Sequence, residues 1–268
     1  MKVLVTGSEG YIGCVLVPML HAAGHEVVGL DSGLFRDCLL TDAGVETPDF
    51  VVDVRDAADA CMEGVDAVMH LAAISNDPLG DLNPDCTYDI NHLATTTLAK
   101  IAKRCGVPRF IQSSSCSLYG AYGDDMIDEQ AEFNPVTPYG ISKVRAERDL
   151  RSMADESFTP TFLRNATAFG VSARLRGDLV VNNLVGYAYT TGKVMLKSDG
   201  SPWRPLVHIE DISRAFLAVL HAPREKVHCE AFNVGRSDEN FRIREVAAFV
   251  EEVVPGSRIE YSPGAGPD

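Results

Sequence analysis

The first 31 residues constrain the fold more than any other part of the chain. Residues 2–6 form a short apolar run with β-branched side chains, which is typical of a buried strand. Three glycines in the spacing Gly-x-x-Gly-x-x-Gly follow directly: Gly7, Gly10 and Gly13. Residues 11–23 then read as a helix, and residues 26–30 read as a second strand that ends at Asp31. This order predicts a βαβ unit that opens with a tight turn.

The turn has the composition of a dinucleotide site. Gly7 allows the tight turn, Gly10 allows a pyrophosphate to approach backbone N–H groups at the helix N-terminus, and Gly13 lets helix and strand pack closely. A carboxylate at Asp31 can accept both hydroxyls of a ribose and would repel a 2′-phosphate. Arg36 is close in the sequence, but no basic residue immediately follows Asp31. The unit is therefore predicted to bind NAD rather than NADP.

Tyr139 and Lys143 stand four residues apart in a predicted helix, so their side chains share one face. A free tyrosine has a pKa of about 10, and a neighbouring cation favours the phenolate. Lowering that pKa by about three units requires about 4 kcal/mol, which we expect from Lys143 together with a nicotinamide cation. A hydroxyl from Ser113-Ser114-Ser115 can hold the substrate oxygen. The pattern predicts proton transfer coupled to hydride transfer.

Strand and helix signals alternate through the first two-thirds of the chain. Further strands are predicted at 50–53, 67–71, 109–113 and 159–164, and further helices at 87–105 and 137–154. This alternation predicts an α/β fold with a doubly wound parallel sheet, a Rossmann fold. Residues 1–170 are expected to form the NAD-binding domain. Beyond Gly170 the pattern breaks into shorter pieces, so residues 171–268 are expected to form mainly a smaller substrate-binding lobe.

Five segments occur in order at sensible intervals: Thr6-Gly-x-x-Gly-x-x-Gly13, Asp53-Val-Arg55, His70-Leu-Ala-Ala73, Ser113-Ser-Ser-Cys-Ser-Leu-Tyr-Gly120 and Tyr139-x-x-x-Lys143. Together they resemble the extended short-chain dehydrogenase/reductases, specifically the NAD-dependent nucleotide-sugar epimerase/dehydratase family. The resemblance covers essentially the whole chain. Family members usually continue for some tens of residues, so the C-terminal lobe is expected to be incomplete.

The resemblance implies a set of functional residues. In the catalytic group, Tyr139 would take the proton from a sugar hydroxyl, Ser115 would bind that oxygen, and Lys143 would hold the ribose. Asp53 and Val54 would flank the adenine, and Asn91 would be a buried polar residue near the cofactor. The full set of expected cofactor-binding residues is Gly7, Gly10, Tyr11, Ile12, Gly13, Asp31, Asp53, Val54, Leu71, Ala72, Ala73, Asn91, Ser113, Tyr139 and Lys143.

The expected substrate residues are Ser115, Thr167, Asn183 and Arg204. Asn183 and Arg204 lie in stretches that resemble the nucleotide-binding part of UDP-galactose 4-epimerases, where they would hold the diphosphate. Thr167 stands where the family usually has Asn, a departure that affects the pose of the sugar. Arg174 and Arg176 are further candidate cations, although isolated surface arginines are the commoner explanation.

The resemblance implies that 4,6-dehydratases of this family have an Asp-Glu pair at the positions of Cys116 and Ser117, so these two residues are a departure. That pair eliminates water across C5 and C6 of the sugar. Neither residue here is a carboxylate, so dehydration by the usual route is disfavoured. A buried, inert cysteine is the expected role for Cys116.

Composition excludes several other classes of protein. The formal net charge of −14 over 268 residues argues against nucleic acid or an anionic membrane as a partner. No apolar stretch approaches the length of a membrane span. Seven scattered cysteines without Cys-x-x-Cys pairs are typical of reduced thiols in a cytoplasm, and the seven histidines lack ligand spacing. We expect a cytoplasmic protein without a metal site.

The leading hypothesis is an NAD-dependent nucleotide-sugar epimerase, most simply one that inverts C4 through a transient 4-keto intermediate. Three further hypotheses are a nucleotide-sugar ketoreductase or dehydrogenase, a 4,6-dehydratase, and a non-catalytic dinucleotide-binding regulator. The presence of both Tyr139 and Lys143 disfavours the regulator. A nucleotide-diphosphate sugar is the expected partner and a homodimer the expected assembly, while the sequence leaves the sugar and the base open.

Overall fold

The computed structural model describes residues 1–41, 47–120 and 126–262. The Gly-, Pro- and Asp-rich composition of residues 120–138 predicts a loop before the Tyr139 helix, and part of that stretch lies outside the described residues. The end of the chain, on which we based the expectation of an incomplete lobe, also lies outside them. The strands are β1 Lys2–Thr6, β2 Glu26–Asp31, β3 Phe50–Val51, β4 Ala67–His70, β5 Arg109–Ser115, β6 Thr159–Asn165, β7 Thr167–Phe169, β8 Lys193–Leu196, β9 Trp203–His208, β10 Ala231–Val234, β11 Asn240–Arg242 and β12 Arg258–Tyr261. The helices are α1 Gly13–Ala22, α2 Asp77–Leu82, α3 Pro84–Tyr88, α4 Thr95–Arg104, α5 Pro138–Met153, α6 Val180–Thr191, α7 Ile209–His221, α8 Arg224–Val227 and α9 Ile243–Val253.

The centre of the fold is a seven-stranded parallel sheet in the order β10-β6-β5-β4-β1-β2-β3. β1 and β4 are neighbours, and the chain winds away from them in opposite directions. The carboxyl ends of such a pair of strands border the crevice in which open α/β sheets bind ligands. The predicted doubly wound Rossmann fold is confirmed.

Both faces of the sheet are buried, because successive side chains of a strand point to opposite faces. Leu4 and Phe110 pack into one apolar cluster with residues of α4 and α5. Val3 and Ile111 pack into the other, with residues of α1 and α7. The apolar runs that marked these strands in the sequence are thus explained by helices on both sides.

The predicted helix at 87–105 begins earlier and is not regular. α3 starts at Pro84, a π-helical turn spans Asp89–Ala94, and α4 continues to Arg104. Asn91, in the π turn, is 1% exposed and uses its amide on the backbone of Ile74, which explains why a helix with good local propensity widens here. α2, at Asp77–Leu82, was not predicted.

The chain beyond Gly170 does not form a separate layer throughout. Residues of the two small sheets, β11-β9-β7 and β12-β8, pack with α6 and α9 in a third apolar cluster, separate from the two on the large sheet. However, α7 packs on the large sheet and β10 adds to its edge beside β6. This segment packs against the large sheet because Phe216 and Val234 complete the apolar cluster on one of its faces. The division at 170/171 stays a prediction, with residues 209–234 belonging to the larger core.

Candidate active site

The glycine turn is closed so tightly that side chains do not fit. Gly7 has a φ of +73°, in the left-handed region, and a Cβ there would lie 2.9 Å from the backbone N of Ala72. A Cβ on Gly13 would lie 2.2 Å from the carbonyl O of Gly7. Gly10 donates its N–H to that same carbonyl at 3.0 Å. The resulting cradle at the start of α1 fits a pyrophosphate, as the spacing predicted.

Tyr11, inside the turn, links the two parts of the fold. Its phenol donates to the carbonyl O of Gly170 at 2.8 Å and accepts from the Asn182 amide at 3.1 Å. Ser172 donates to the carbonyl O of Tyr11 at 2.8 Å. The side chain of Ile12 packs in the core. The side chains of Tyr11 and Ile12 therefore both contact other parts of the protein, and the groups of this turn left to contact a cofactor are those of its backbone.

Asp31 faces the turn from the end of β2. Its Oδ2 accepts from the backbone N of Glu9 and its Oδ1 from the backbone N of Gly33, each at 3.0 Å. Arg36 does not join it. The Arg36 guanidinium instead donates to Oε1 of Glu9, from Nε at 2.9 Å and from Nη2 at 2.6 Å.

Asp53 and Val54 lie in the turn that follows β3, the strand next to β2. Asp53 accepts from the backbone N and the side chain of Arg55, and these hydrogen bonds lower the pKa of its carboxyl. Val54 is buried. The Asp53 carboxylate is thus already paired within the protein, and Val54 is the residue of the two that offers an apolar surface.

The loop after β4 runs along the expected cofactor path. Leu71 donates its N–H to the carbonyl O of Thr6, and Ala72 donates its N–H to Oγ1 of the same residue. Ala73 follows them in the same loop. Asn91 accepts from the N of Ile74 and donates to its O, both at 2.8 Å. The two hydrogen bonds of the Asn91 amide therefore hold this loop in shape.

Tyr139 and Lys143 lie in the first turns of α5, which Thr137 caps by accepting the N–H of Gly140. The Lys143 Nζ donates to the carbonyl O of Ser113 at 2.8 Å and lies 5.6 Å from the centroid of the Tyr139 ring. Ser115 ends β5, the strand whose Ser113 carbonyl holds Lys143, and its hydroxyl is one of the groups that affect the pKa of the Tyr139 phenol. The structure thus brings Ser113, Ser115, Tyr139 and Lys143 together.

The charge balance of this group differs from the expectation. Burial is the largest influence on Tyr139 and raises the pKa of its phenol, while the Ser115 hydroxyl and the charge of Arg176 lower that pKa in part. Burial also lowers the pKa of Lys143 to about 8, opposed by Glu147. Lys143 alone therefore does not draw the pKa of Tyr139 below its usual value, because both groups lose solvation when they are buried.

A buried ion pair that was not predicted supports the catalytic group. Glu147 lies one turn after Lys143 and accepts from Nε of Arg164 at 3.1 Å and from Nη2 at 2.7 Å. Both side chains are about 2% exposed or less. Ser114 donates to Glu147 at 2.6 Å, and Arg164 donates to the Tyr119 phenol at 2.8 Å. The spacing Lys143-x-x-x-Glu147 was the available signal.

Cys116 and Ser117 are not acids in this structure. Burial raises the pKa of the Cys116 thiol to about 12, and its Sγ donates to the carbonyl O of Arg164 at 3.2 Å. Ser117 donates its N–H to Oγ of Ser115, which in turn donates to Oγ of Ser117. The expected inert role of Cys116 fits these contacts.

Arg176 lies over the catalytic edge, unlike an isolated surface arginine. Its Nη1 donates to Oγ of Ser75 at 2.7 Å, and it pairs with Asp178. Asp178 also accepts from the Asn76 amide at 2.5 Å. These contacts join the segment after β7 to the loop before α2. Arg174, by contrast, stacks on Phe35 at 4.6 Å.

The expected substrate residues other than Ser115 lie on three elements, β7, α6 and β9. Thr167 begins β7 and pairs in register with Leu206, two residues beyond Arg204 on β9. Arg204 is exposed and donates to the carbonyl O of Trp203. Asn183, on α6, donates to the carbonyl O of Gly177 at 2.8 Å. Among the described residues, neither Asn183 nor Arg204 shares a hydrogen bond with the catalytic group.

The described residues hold neither a metal-binding cluster nor a helix that could span a membrane. Within residues 1–41, 47–120 and 126–262, no group of His, Cys, Asp or Glu side chains is arranged to hold a metal ion. In the same ranges, no helix has the length and apolar character needed to cross a membrane.

Comparisons with known proteins agree with this geometry. Residues 3–235 match the NAD dependent epimerase/dehydratase family. A UDP-glucose 4-epimerase from Bacillus subtilis (strain 168) is 26% identical, over 97% of this chain and 84% of that protein. The solved structure of a Thermus thermophilus UDP-glucose 4-epimerase in complex with NAD superposes with a TM-score of 0.85 at 26% identity, covering 100% of this chain and 87% of that one.

Other relatives catalyse a different reaction. UDP-glucuronic acid decarboxylase 4 from Arabidopsis thaliana is also 26% identical, over 100% of this chain and 61% of that protein. Identity of this size to both kinds of enzyme does not choose between them. The comparisons therefore support the family and the cofactor, and they leave the reaction to be argued from the site.

Proposed function

The chain belongs to the NAD dependent epimerase/dehydratase family, as the resemblance indicated, and we propose that it is a nucleotide-sugar epimerase that inverts C4. NAD is its cofactor. One observation carries the proposal. Ser115, Tyr139 and Lys143 converge on one point, while neighbouring Cys116 and Ser117 offer no carboxylic acid. That arrangement supports oxidation and reduction at one carbon without elimination of water.

The cofactor fits the residues present, because Gly7 and Gly13 leave a cradle that any Cβ would fill, and Asp31 stands at the end of β2. NAD, when bound, supplies the nicotinamide that accepts a hydride and returns it. In this proposal the turn and Asp31 position NAD. The loop at Leu71, Ala72 and Ala73 lies along it, in the shape that Asn91 maintains.

The chain's own residues then move one proton. Tyr139 removes the proton of the sugar C4 hydroxyl, and Ser115 holds that oxygen through its Oγ. The charge of Lys143 and that of the bound nicotinamide would together favour the phenolate against the effect of burial, and the Lys143 Nζ is anchored on the carbonyl O of Ser113. The same phenol returns the proton after the 4-keto sugar has turned its other face. Tyr139 thus acts as base and then as acid.

For the substrate we propose a nucleotide-diphosphate sugar. Arg204 is exposed on β9 and suits a diphosphate, because its planar donors can fork onto phosphate oxygens. Asn183 would add an amide from α6, and Thr167 and Ser115 would face the sugar. Arg176 brings a further cation to the catalytic edge, where its charge affects the pKa of the Tyr139 phenol.

Two further features belong to the proposal. Free thiols at all seven cysteines favour a cytoplasmic location. Assembly as a homodimer is supported by leucines that are at least half exposed on α2 and the following helical turns: Leu79, Leu82 and Leu93.

Decarboxylation is the second candidate reaction, since one relative is a UDP-glucuronic acid decarboxylase. A ketone formed at C4 would make a carboxylate at C5 part of a β-keto acid, which loses carbon dioxide readily. A decarboxylase needs a substrate with a carboxylate at C5, whereas an epimerase does not. The choice of substrate therefore separates the two. Dehydration would need an acid that Cys116 and Ser117 do not supply, and net reduction would need exchange of the cofactor in every turnover.

We expect the purified protein to convert UDP-glucose into a mixture with its C4 epimer, without accumulation of free NADH. Proton NMR of the nucleotide sugar and nicotinamide absorbance, recorded together, check this result. UDP-glucuronic acid is the matched comparison. Release of carbon dioxide from UDP-glucuronic acid, with UDP-glucose left unchanged, would contradict the proposed epimerase and indicate a decarboxylase. Consumption of NADH in proportion to product would indicate a reductase.

A further inference from the structure

Glu9 is an unusual member of the glycine turn. It stands between Gly7 and Gly10, and its backbone N–H donates to Oδ2 of Asp31 at 3.0 Å. The residue is 6% exposed. A carboxylate is therefore buried at the same end of the cradle as Asp31, where the dinucleotide's adenosine ribose is expected.

Arg36 neutralises this carboxylate from the segment after β2. Its Nε and Nη2 both donate to Oε1 of Glu9, at 2.9 and 2.6 Å. Oε2 of Glu9 is buried and has no hydrogen-bond partner among the described residues. Buried polar atoms in folded proteins are nearly always paired. An orphaned acceptor beside Asp31 thus points to a donor from outside the protein, such as a ribose hydroxyl.

The pair also affects which ribose is accepted. Arg is the side chain best suited to bind a phosphate, because its donors match two phosphate oxygens at once. The Nε and Nη2 edge of Arg36 is occupied by Glu9, although the Arg36 side chain as a whole is 42% exposed. A 2′-phosphate at this point would meet two carboxylates, Asp31 and Glu9, and a cation already bound to one of them.

We propose that the Glu9–Arg36 ion pair is a second determinant of cofactor choice, in addition to Asp31. Glu9 withholds Arg36 from a 2′-phosphate and offers Oε2 to the unphosphorylated ribose. The inference concerns cofactor binding alone, so it holds whichever sugar reaction the protein catalyses.

Glu9→Gln tests the inference, because it removes the negative charge and keeps the size of the side chain. We expect the ratio of Kd for NADPH to Kd for NADH to fall by about tenfold, the effect of one additional charge-assisted contact. Equilibrium titration of the nucleotide-free protein, followed by the fluorescence of each reduced nicotinamide, measures both constants. Glu9→Ser gives a second route to the same release of Arg36, and far-UV circular dichroism verifies the fold of each variant.

The double variant Glu9→Gln/Arg36→Gln is the control that identifies the phosphate-binding group. Its ratio should return to within about twofold of the unmodified protein, because the released cation is gone. The inference is overturned if folded Glu9→Gln and Glu9→Ser both keep the original ratio. It is equally overturned if the double variant keeps the gain in NADPH affinity, since Arg36 would then not be the group that Glu9 withholds.

Discussion

Tyr139→Phe is expected to lower kcat by about 10²- to 10⁴-fold, the contribution of a positioned general base. The substitution removes the group that transfers the proton and leaves the aromatic ring beside Lys143. NAD affinity and the free energy of unfolding should change little, because Phe keeps the aromatic ring that lies beside Lys143 and lacks only the hydroxyl. Steady-state kinetics, NADH titration and denaturant unfolding of the same preparation measure these three quantities.

Tyr189→Phe is the matched control, since Tyr189 is 84% exposed on α6 and loses the same hydroxyl. Its kcat should equal that of the unmodified protein. A Tyr139→Phe variant with near-normal turnover of its substrate would remove Tyr139 from the mechanism. The proton would then have to be taken by another group.

The second large effect concerns stability. Arg164→Met should lower the free energy of unfolding by about 3–5 kcal/mol, the range observed when one partner of a buried ion pair is removed. Glu147 would stay at 1% side-chain exposure with Ser114 as a hydrogen-bond donor and the part-exposed Arg151 guanidinium 4.0 Å away, at the limit of an ion pair. Denaturant unfolding followed by circular dichroism gives the free energy.

Two controls isolate the cause of this loss. Arg236→Met breaks an ion pair with Asp238 in which both side chains are more than 60% exposed, so it should cost at most about 1 kcal/mol. Arg164→Met/Glu147→Met removes both charges and should recover much of the loss. Equal costs for Arg164→Met and Arg236→Met would show that the Glu147 carboxylate is compensated without Arg164.

Local patterns were sufficient to predict the first βαβ unit. β1 and β2 begin where expected, and α1 ends within a residue of the prediction. Each has a signal within a few residues: β-branched apolar runs, glycines that the turn requires, and an acid at a strand end. The catalytic group was predictable for the same reason, because Tyr139 and Lys143 share one helix face.

Contacts between distant segments were not predictable. Glu147 and Arg164 meet across 17 residues, and Arg176 reaches Ser75 across 101. β10 joins the large sheet from far along the chain, where it pairs with β6 and its Val234 packs into the apolar cluster on one face of that sheet. The effect of burial, which raises the pKa of the Tyr139 phenol, was not predictable for a related reason, since burial depends on the whole fold.

The most direct measurement of the proposed epimerisation follows deuterium from C4 of the nucleotide sugar. An epimerase returns the hydride that it removed, so we expect the inverted sugar to retain deuterium at C4 and no labelled NADH to escape to solvent. Proton NMR and mass spectrometry of the product measure the retention. Loss of the label to free cofactor, or of the C5 proton together with water, would contradict the proposed epimerisation.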